Sequence, residues 1–456
     1  MQAGRSVFIL AQVGYLVLAA MAVLFFQERL SSDTSYYFFK ALNTRWFHVE
    51  HQRAVLLFAE WPVVLLSWFG VSLKVLAVAY SLGHVLFFYA IGWYSYRRYR
   101  TVFAWLLLLL LQLVGIREGF IGPIFEQFYG TALAVLFFQH LPDVRGWKGL
   151  AFSVLLFVLV ISSHPFNIIL ALFLLALDFI RTHSSRRYLP YAVILFLFLL
   201  YKSAVASEYE SGKMKWIFDL KHNKTYALLF DAAQLRARAL FLVQYYAEVL
   251  LALFLLTLFW WRQKEYLRLA LLWTFFTGAL LLINFSYAIT EYSRYNEQVY
   301  YLLVPLVLIP LLLFAFPAWE KKNLLPVMAL LPLLITWRFY LQANTAIGFR
   351  SKTELARTWV RQAQQQEGCC FYLTPKAWLG KERFVDWDMG FFTLYLSAAE
   401  AYAKQVTILP VEDDTAAVLA LPPEQWWFRG GEAEARVGLN MRYFALCNAG
   451  YQPLRP

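Results

Sequence analysis

The sequence predicts an all-α polytopic membrane protein of about eleven transmembrane helices, N-terminus inside, with a small α/β domain outside at its C-terminal end. Three observations lead there. Of 456 residues, 61% are hydrophobic and only 15% charged, whereas a soluble globular chain is nearer half apolar and a quarter charged. Apolar runs of near-spanning length recur up to residue 340, and aromatics reach 19%, which suits interfacial Trp and Tyr belts and lipid-facing Phe. The bases fall in clusters that alternate with loops poorer in them.

The first segment, Val7–Phe26, has no small-residue cleavage site after it and reads as a retained helix, not a removed signal peptide. Residues 28–72 then form a large first loop. Its run Ala54–Gly70 is apolar but carries Glu60 and Pro62. Further spanning segments are read at Val75–Tyr94, Val102–Ile116, Ile124–His140, Leu150–Ser162, Phe166–Ile180 and Leu189–Ala204. The last four are Leu240–Trp261, Leu267–Ala288, Val299–Phe316 and Leu324–Tyr340.

Charge fixes the orientation. The clusters "RRYR" (97–100), "VRGWK" (144–148), "RTHSSRRY" (181–188), "RQKEYLR" (262–268) and "EKK" (320–322) belong on one side, the cytoplasmic one. Arg5 joins them only if 54–70 does not cross, so that run is read as lying at the membrane surface. The loop 205–238, external in this scheme, carries six Lys or Arg against four acids and reads as an amphipathic element on headgroups. The net charge of +12 follows from cytoplasmic loops and headgroup contacts. With no basic and aromatic surface motif, nucleic-acid binding is not expected.

The transmembrane domain is thus 1–343, and 344–456 is an extracytoplasmic domain. In it "SKTELARTWVRQAQQQEG" reads as an amphipathic helix and "CCFYLTP" and "QVTILPV" as strands, with turns at Pro375, Gly380 and Gly430-Gly431. Cys369 and Cys370 are adjacent, and either could reach Cys447 in an oxidising compartment.

The external loops collect residues of chemical type. Loop one holds Asp33, Tyr36, Tyr37, Arg45, His48, Glu50, His51 and Arg53; loop two holds Arg117, Glu118 and Glu126. His164 marks a short third turn, Glu208, Glu210, Lys213 and Lys215 a fourth loop, and Glu291, Tyr292, Arg294 and Tyr295 a fifth. Ionisable groups at membrane depth are costly and usually line a cavity or pair with one another, so one shared site is expected. Each also has a plainer role. Asp33 could cap a helix starting near Tyr36. His164 could be a helix-end histidine and Arg294 an interfacial anchor. "HVEH" (48–51) offers His48, Glu50 and His51 to a metal but names no further ligand.

In layout and two short motifs the chain resembles the GT-C class of membrane glycosyltransferases, which includes oligosaccharyltransferases, protein O-mannosyltransferases and lipid A aminoarabinose transferases. "SSDTSYYFFKAL" is similar to the acid-then-aromatics motif that follows the first helix in that class, with Asp33 as the acid. "SRYNEQVYYLLVPLVLIP" is similar to its late Arg-aromatic motif, with Arg294, Tyr295, Pro305 and Pro310 matching. Asp33 stands between Ser32 and Thr34, not in an acidic pair, which speaks against a metal-dependent variant; "QWWFRGG" shares only tryptophans with the oligosaccharyltransferase signature.

The resemblance implies a membrane enzyme that moves a sugar from a polyprenyl-phosphate donor to an acceptor hydroxyl on a glycan, lipid or protein, and the few cysteines and lack of a eukaryotic-style retention signal point to a bacterial cytoplasmic membrane. Asp33 would be the base. Arg294, with Arg117 or Lys215, would hold the phosphate. Tyr36, Tyr37 and Tyr295 would meet the sugar, with Glu118 and His164 nearby. No cofactor is required, and inversion at the anomeric carbon is expected. The alternatives are a transporter or flippase of lipid-linked sugars and a non-catalytic subunit of a glycan-assembly complex.

Overall fold

A computed structural model of the chain describes residues 2–205, 211–212, 230–287, 293–317, 325–374, 387–400, 404–411, 422, 425–429, 432–435, 438–447 and 449–455. The chain is mostly helical. Among the described residues the α-helices are α1 (Gln2–Leu24), α2 (Asp33–Thr44), α3 (Leu56–Trp68), α4 (Leu73–Tyr99), α5 (Phe103–Leu110), α6 (Glu126–His140), α7 (Gly146–Ser163) and α8 (Pro165–Thr182). They continue as α9 (Leu189–Val205), α10 (Ala232–Arg262), α11 (Tyr266–Ser286), α12 (Ser293–Tyr300), α13 (Leu303–Pro310), α14 (Leu325–Gln364) and α15 (Met389–Ala399).

Among the described residues seven helices, α1, α4 and α7–α11, are long and apolar enough to cross a membrane. The other four expected segments take different forms. The 102–116 segment is helical only over α5, then turns through Gly115 at φ +72°. The 299–316 segment becomes α13 and a π-helical turn, Leu311–Ala315. Both are buried within the bundle, with Leu106 to Leu109 and Leu306, Val307 and Ile309 almost inaccessible. The 15-residue α6 spans about 22 Å, short of the ~30 Å hydrocarbon core. The 324–340 segment is the first part of the 40-residue α14. The run 54–70 forms α3, only 13 residues long, packed between α2 and α4 with Glu60 fully buried.

Small residues let the helices close. At Gly130 of α6 an added Cβ would come within 1.9 Å of Ser163 Oγ and 2.2 Å of Asn167 Nδ2. Asn167 uses that closeness, donating to the Gln127 carbonyl at 3.1 Å and to Ser163 Oγ at 2.7 Å. An interior amide so bonded costs little to bury, and it sets the register of α6 against α7 and α8.

The expected boundary at 343/344 falls inside α14, which runs on unbroken into the C-terminal region. There β1 (Cys370–Leu373) lies between β2 (Thr407–Pro410) and β5 (Gln452–Pro453) in a parallel sheet, order β2-β1-β5, backed by α15. β3 (Gln425–Arg429) and β4 (Glu432–Ala435) form an antiparallel pair, while the expected turns at Pro375, Gly380 and Gly430-Gly431 lie outside the described residues. The cysteine pairing left open by the sequence is Cys369–Cys447, and Cys370 is buried next to it, outside that disulfide.

Candidate active site

The site begins where α1 ends. Arg29, 1% exposed, turns back on the bundle: Nε donates to Ser81 Oγ at 2.8 Å and Nη1 to the Phe120 carbonyl at 2.8 Å. It also lies 4.2 Å from the Phe120 ring centroid. Removal from water lowers its pKa to about 9, still leaving it charged at neutral pH. Loop one is thereby tied to α4 and to loop two.

Asp33 is the first residue of α2, not its cap, and the helix starts three residues before the expected Tyr36. The preceding residue, Ser32, holds φ +56° and ψ −132°, a conformation glycine adopts far more readily. No side chain of Ser32 caps the helix. Instead the Ser32 N–H donates to Asp388 Oδ2 at 2.5 Å, and Ser35 Oγ lies 3.4 Å from the same oxygen. Asp388 is in turn held by Lys352 Nζ at 2.9 and 3.2 Å, which also donates to Ser31 Oγ at 3.0 Å.

One turn on, Tyr36 and Tyr37 meet the rest of loop one. Tyr36 donates to Glu50 Oε1, and Tyr37 lies between Glu50 Oε2 at 3.4 Å and Glu126 Oε1 at 3.3 Å. His48 Nε2 is 3.2 Å and His51 Nε2 3.9 Å from the Glu50 carboxylate, while Arg53 Nη1 pairs with Glu126 at 3.0 Å. Burial, and then the negative charges of Glu126, Glu50 and Asp33, push the Tyr37 phenol well above its usual range. Asp33 thus stands within electrostatic reach of this cluster. The backbone N–H of His48 donates to Glu60 Oε2 at 2.6 Å; burial still pushes Glu60 up to about 9, so it is protonated at neutral pH. Lys202 at the end of α9 closes the rim, donating to the His51 carbonyl at 2.7 Å. His164 accepts from the Phe166 N–H at 3.2 Å, capping α8; burial and then Arg53 hold it well below the usual histidine range.

A second group forms where α12 meets loop two. The Glu297 carboxylate, 1% exposed, accepts the backbone N–H groups of Arg117 at 2.9 Å, Glu118 at 3.1 Å and Gly119 at 2.8 Å. Burial nevertheless pushes it up to about 7. Arg117 does not turn to the Glu50 cluster: its Nη2 donates to the Gln244 carbonyl at 2.7 Å and the guanidinium lies 4.3 Å from the Tyr245 ring. Tyr295 packs on Tyr287, and Arg294 belongs to α12, the helix that Glu297 ties to loop two. Lys215, Lys213, Glu208, Glu210, Glu291 and Tyr292 lie outside the described residues.

Loop one and loop two therefore converge through Tyr37, Arg53 and Glu126, and Arg29 links them to the α12 group through Phe120. Among the described residues no three His, Cys, Asp or Glu side chains form a metal-holding group, and His48 and His51 instead face Glu50. Sequence reasoning passed over Glu60 and Glu297, although an acid inside an apolar run and one in the quoted "SRYNEQVYY" were visible signals. Lys352 and Asp388, 36 residues apart, had none. Compared with family models, curated proteins and solved structures, the chain shows no match.

Proposed function

We propose that the protein is a membrane glycosyltransferase of GT-C type, moving a sugar from a polyprenyl-phosphate donor to an acceptor hydroxyl at the outer face of a bacterial cytoplasmic membrane. The observation that carries this reading is the polar cluster of loops one and two, Tyr36, Tyr37, Glu50 and Glu126, with Asp33 at the head of α2 within electrostatic reach of Tyr37. The Cys369–Cys447 disulfide supports an extracytoplasmic C-terminal region, since such bonds persist in oxidising compartments.

In the proposed reaction the acceptor oxygen attacks the anomeric carbon as its proton passes to the Asp33 carboxylate. The bond from that carbon to the phosphate oxygen breaks on the opposite face, and the polyprenyl phosphate leaves with the electron pair. One such displacement inverts the anomeric centre. General-base assistance of this kind contributes roughly 10²–10⁴-fold. Arg294 and Lys215 are proposed to hold the departing phosphate, where cationic donors stabilise developing charge. Tyr36 and Tyr37 are proposed to meet the sugar through their hydroxyls, which the Glu50 and Glu126 carboxylates orient. No cofactor or metal enters the scheme.

The test is transfer of radiolabelled sugar in membranes carrying the protein, with a matched donor. Asp33→Asn should abolish transfer while expression and thermal midpoint stay close to wild type. Full activity in that variant removes Asp33 from the role, and flipping of the lipid-linked sugar without transfer by the reconstituted protein replaces the enzyme reading with a transporter.

A further inference from the structure

The C-terminal region grips α2 at both ends and along its length. At the N-terminus Asp388 takes the Ser32 N–H, as a capping side chain would, but it comes from 356 residues away. At the C-terminus Asn440 Nδ2 donates to the Leu42 carbonyl at 2.8 Å, and its N–H donates to Asn43 Oδ1 at 2.8 Å. Between them Phe38 packs on Tyr395 and Phe39 on both Phe391 and Phe444, with ring centroids 5.7, 5.1 and 5.1 Å apart. Tyr36 meets Phe391 at 5.6 Å. A module built only to recognise an acceptor would not supply caps to a helix of the first loop.

We infer that Lys352 and Asp388 are positioning residues: their buried clasp holds the strained Ser32 and so sets where Asp33 stands. This rests on the reading of Asp33 as the base. The chemistry of the clasp is specific. Asp388 is fully buried and Lys352 is 3% exposed, so neither charge is tolerated without the other. The carboxylate has a second duty that a plain ion pair lacks, because it must accept from the Ser32 N–H. A carboxylate there meets that donor; an ammonium cannot.

That asymmetry supplies the experiment. The charge-reversed pair Lys352→Asp with Asp388→Lys keeps an ion pair in the protein interior but sets donor against donor at Ser32. Asp388→Asn and Lys352→Met are made beside it, with Ser31→Ala to remove one partner of Lys352 while leaving the pair. Two readouts are taken on the full-length protein in detergent: amide hydrogen exchange over residues 32–37, and kcat and KM for sugar transfer. In the reversed pair exchange should accelerate at 32–37 and kcat should fall about 10²-fold with KM little changed, even where the thermal midpoint recovers, because displacement by about 1 Å carries that penalty. Ser31→Ala should stay near wild type in both. Unchanged exchange at 32–37 in both the reversed pair and Asp388→Asn overturns the clasp. Accelerated exchange with full kcat also overturns it as a positioning device. Full transfer by Asp33→Asn, by contrast, defeats the underlying enzyme reading, while the exchange data still decide whether Asp388 holds Ser32.

Discussion

Consider Glu297→Gln. The native carboxylate accepts three backbone N–H groups of loop two, which favours its charged form, yet burial at 1% exposure outweighs them and lifts its pKa from 4.5 to about 7. That rise of about 2.5 pH units, at 1.36 kcal/mol each, is roughly 3 kcal/mol. The sign follows from proton binding. Between the two pKa values the folded chain holds a proton that the unfolded chain has released, so stability falls as pH rises. The contribution is fully present below about 4.5, is lost as pH climbs through about 7, and is flat above. Glutamine cannot titrate, and its amide nitrogen meets one N–H group donor against donor. The variant should therefore start lower at about pH 5, by roughly 1–3 kcal/mol, and lose less on going to about pH 8. Thermal midpoints of the detergent-solubilised protein across that range provide the measurement. Wild-type and variant curves that run parallel would refute the reasoning.

Substitutions at two further positions, Glu60 and Gly130, test other parts of the account. Glu60→Gln replaces a carboxyl that burial keeps protonated at neutral pH, so the midpoint at pH 7 should move by under ~1 kcal/mol, whereas Glu60→Lys should prevent solubilisation of folded protein. A large loss with glutamine would show that Glu60 is ionised against His48. Gly130→Ala should cost roughly 1–3 kcal/mol, because its methyl collides with Ser163 and Asn167, and the combined Gly130→Ala/Ser163→Gly should recover part of that in the same thermal assay.

The long apolar helices were legible because composition and length suffice for them, and α1, α4, and α7–α11 appear where the hydropathy places them. The segments 102–116, 124–140 and 299–316, which changed form, are packed against protein along nearly their whole length. Nothing in the "FAWLLLLL" of α5 distinguishes burial by neighbours from burial by lipid, so its turn at Gly115 stayed hidden. In the site, the crowding of loop one was visible, but its pairing with Glu126 through Tyr37 and Arg53 was not. The direction of Arg117 was not, since a guanidinium suits a phosphate or Tyr245 equally well. The capping of α2 was misread for a related reason: local sequence offers Asp33 as the cap, and the side chain that acts, Asp388, is set by tertiary structure alone.

The unbroken α14 has a consequence of its own. Successive turns of this one helix meet different parts of the molecule: Arg338 meets Glu248 and the Tyr245 carbonyl, Gln342 the Gln112 and Ile116 carbonyls, and Lys352 Ser31 and Asp388. It works like a camshaft about 60 Å long, its lobes keyed by a fixed rotation of roughly 100° per residue. Single exchanges along the shaft alter one lobe at a time. Insertion or deletion of one residue between Gln342 and Lys352 would instead mistime every lobe beyond it, so length there is under tighter constraint than identity.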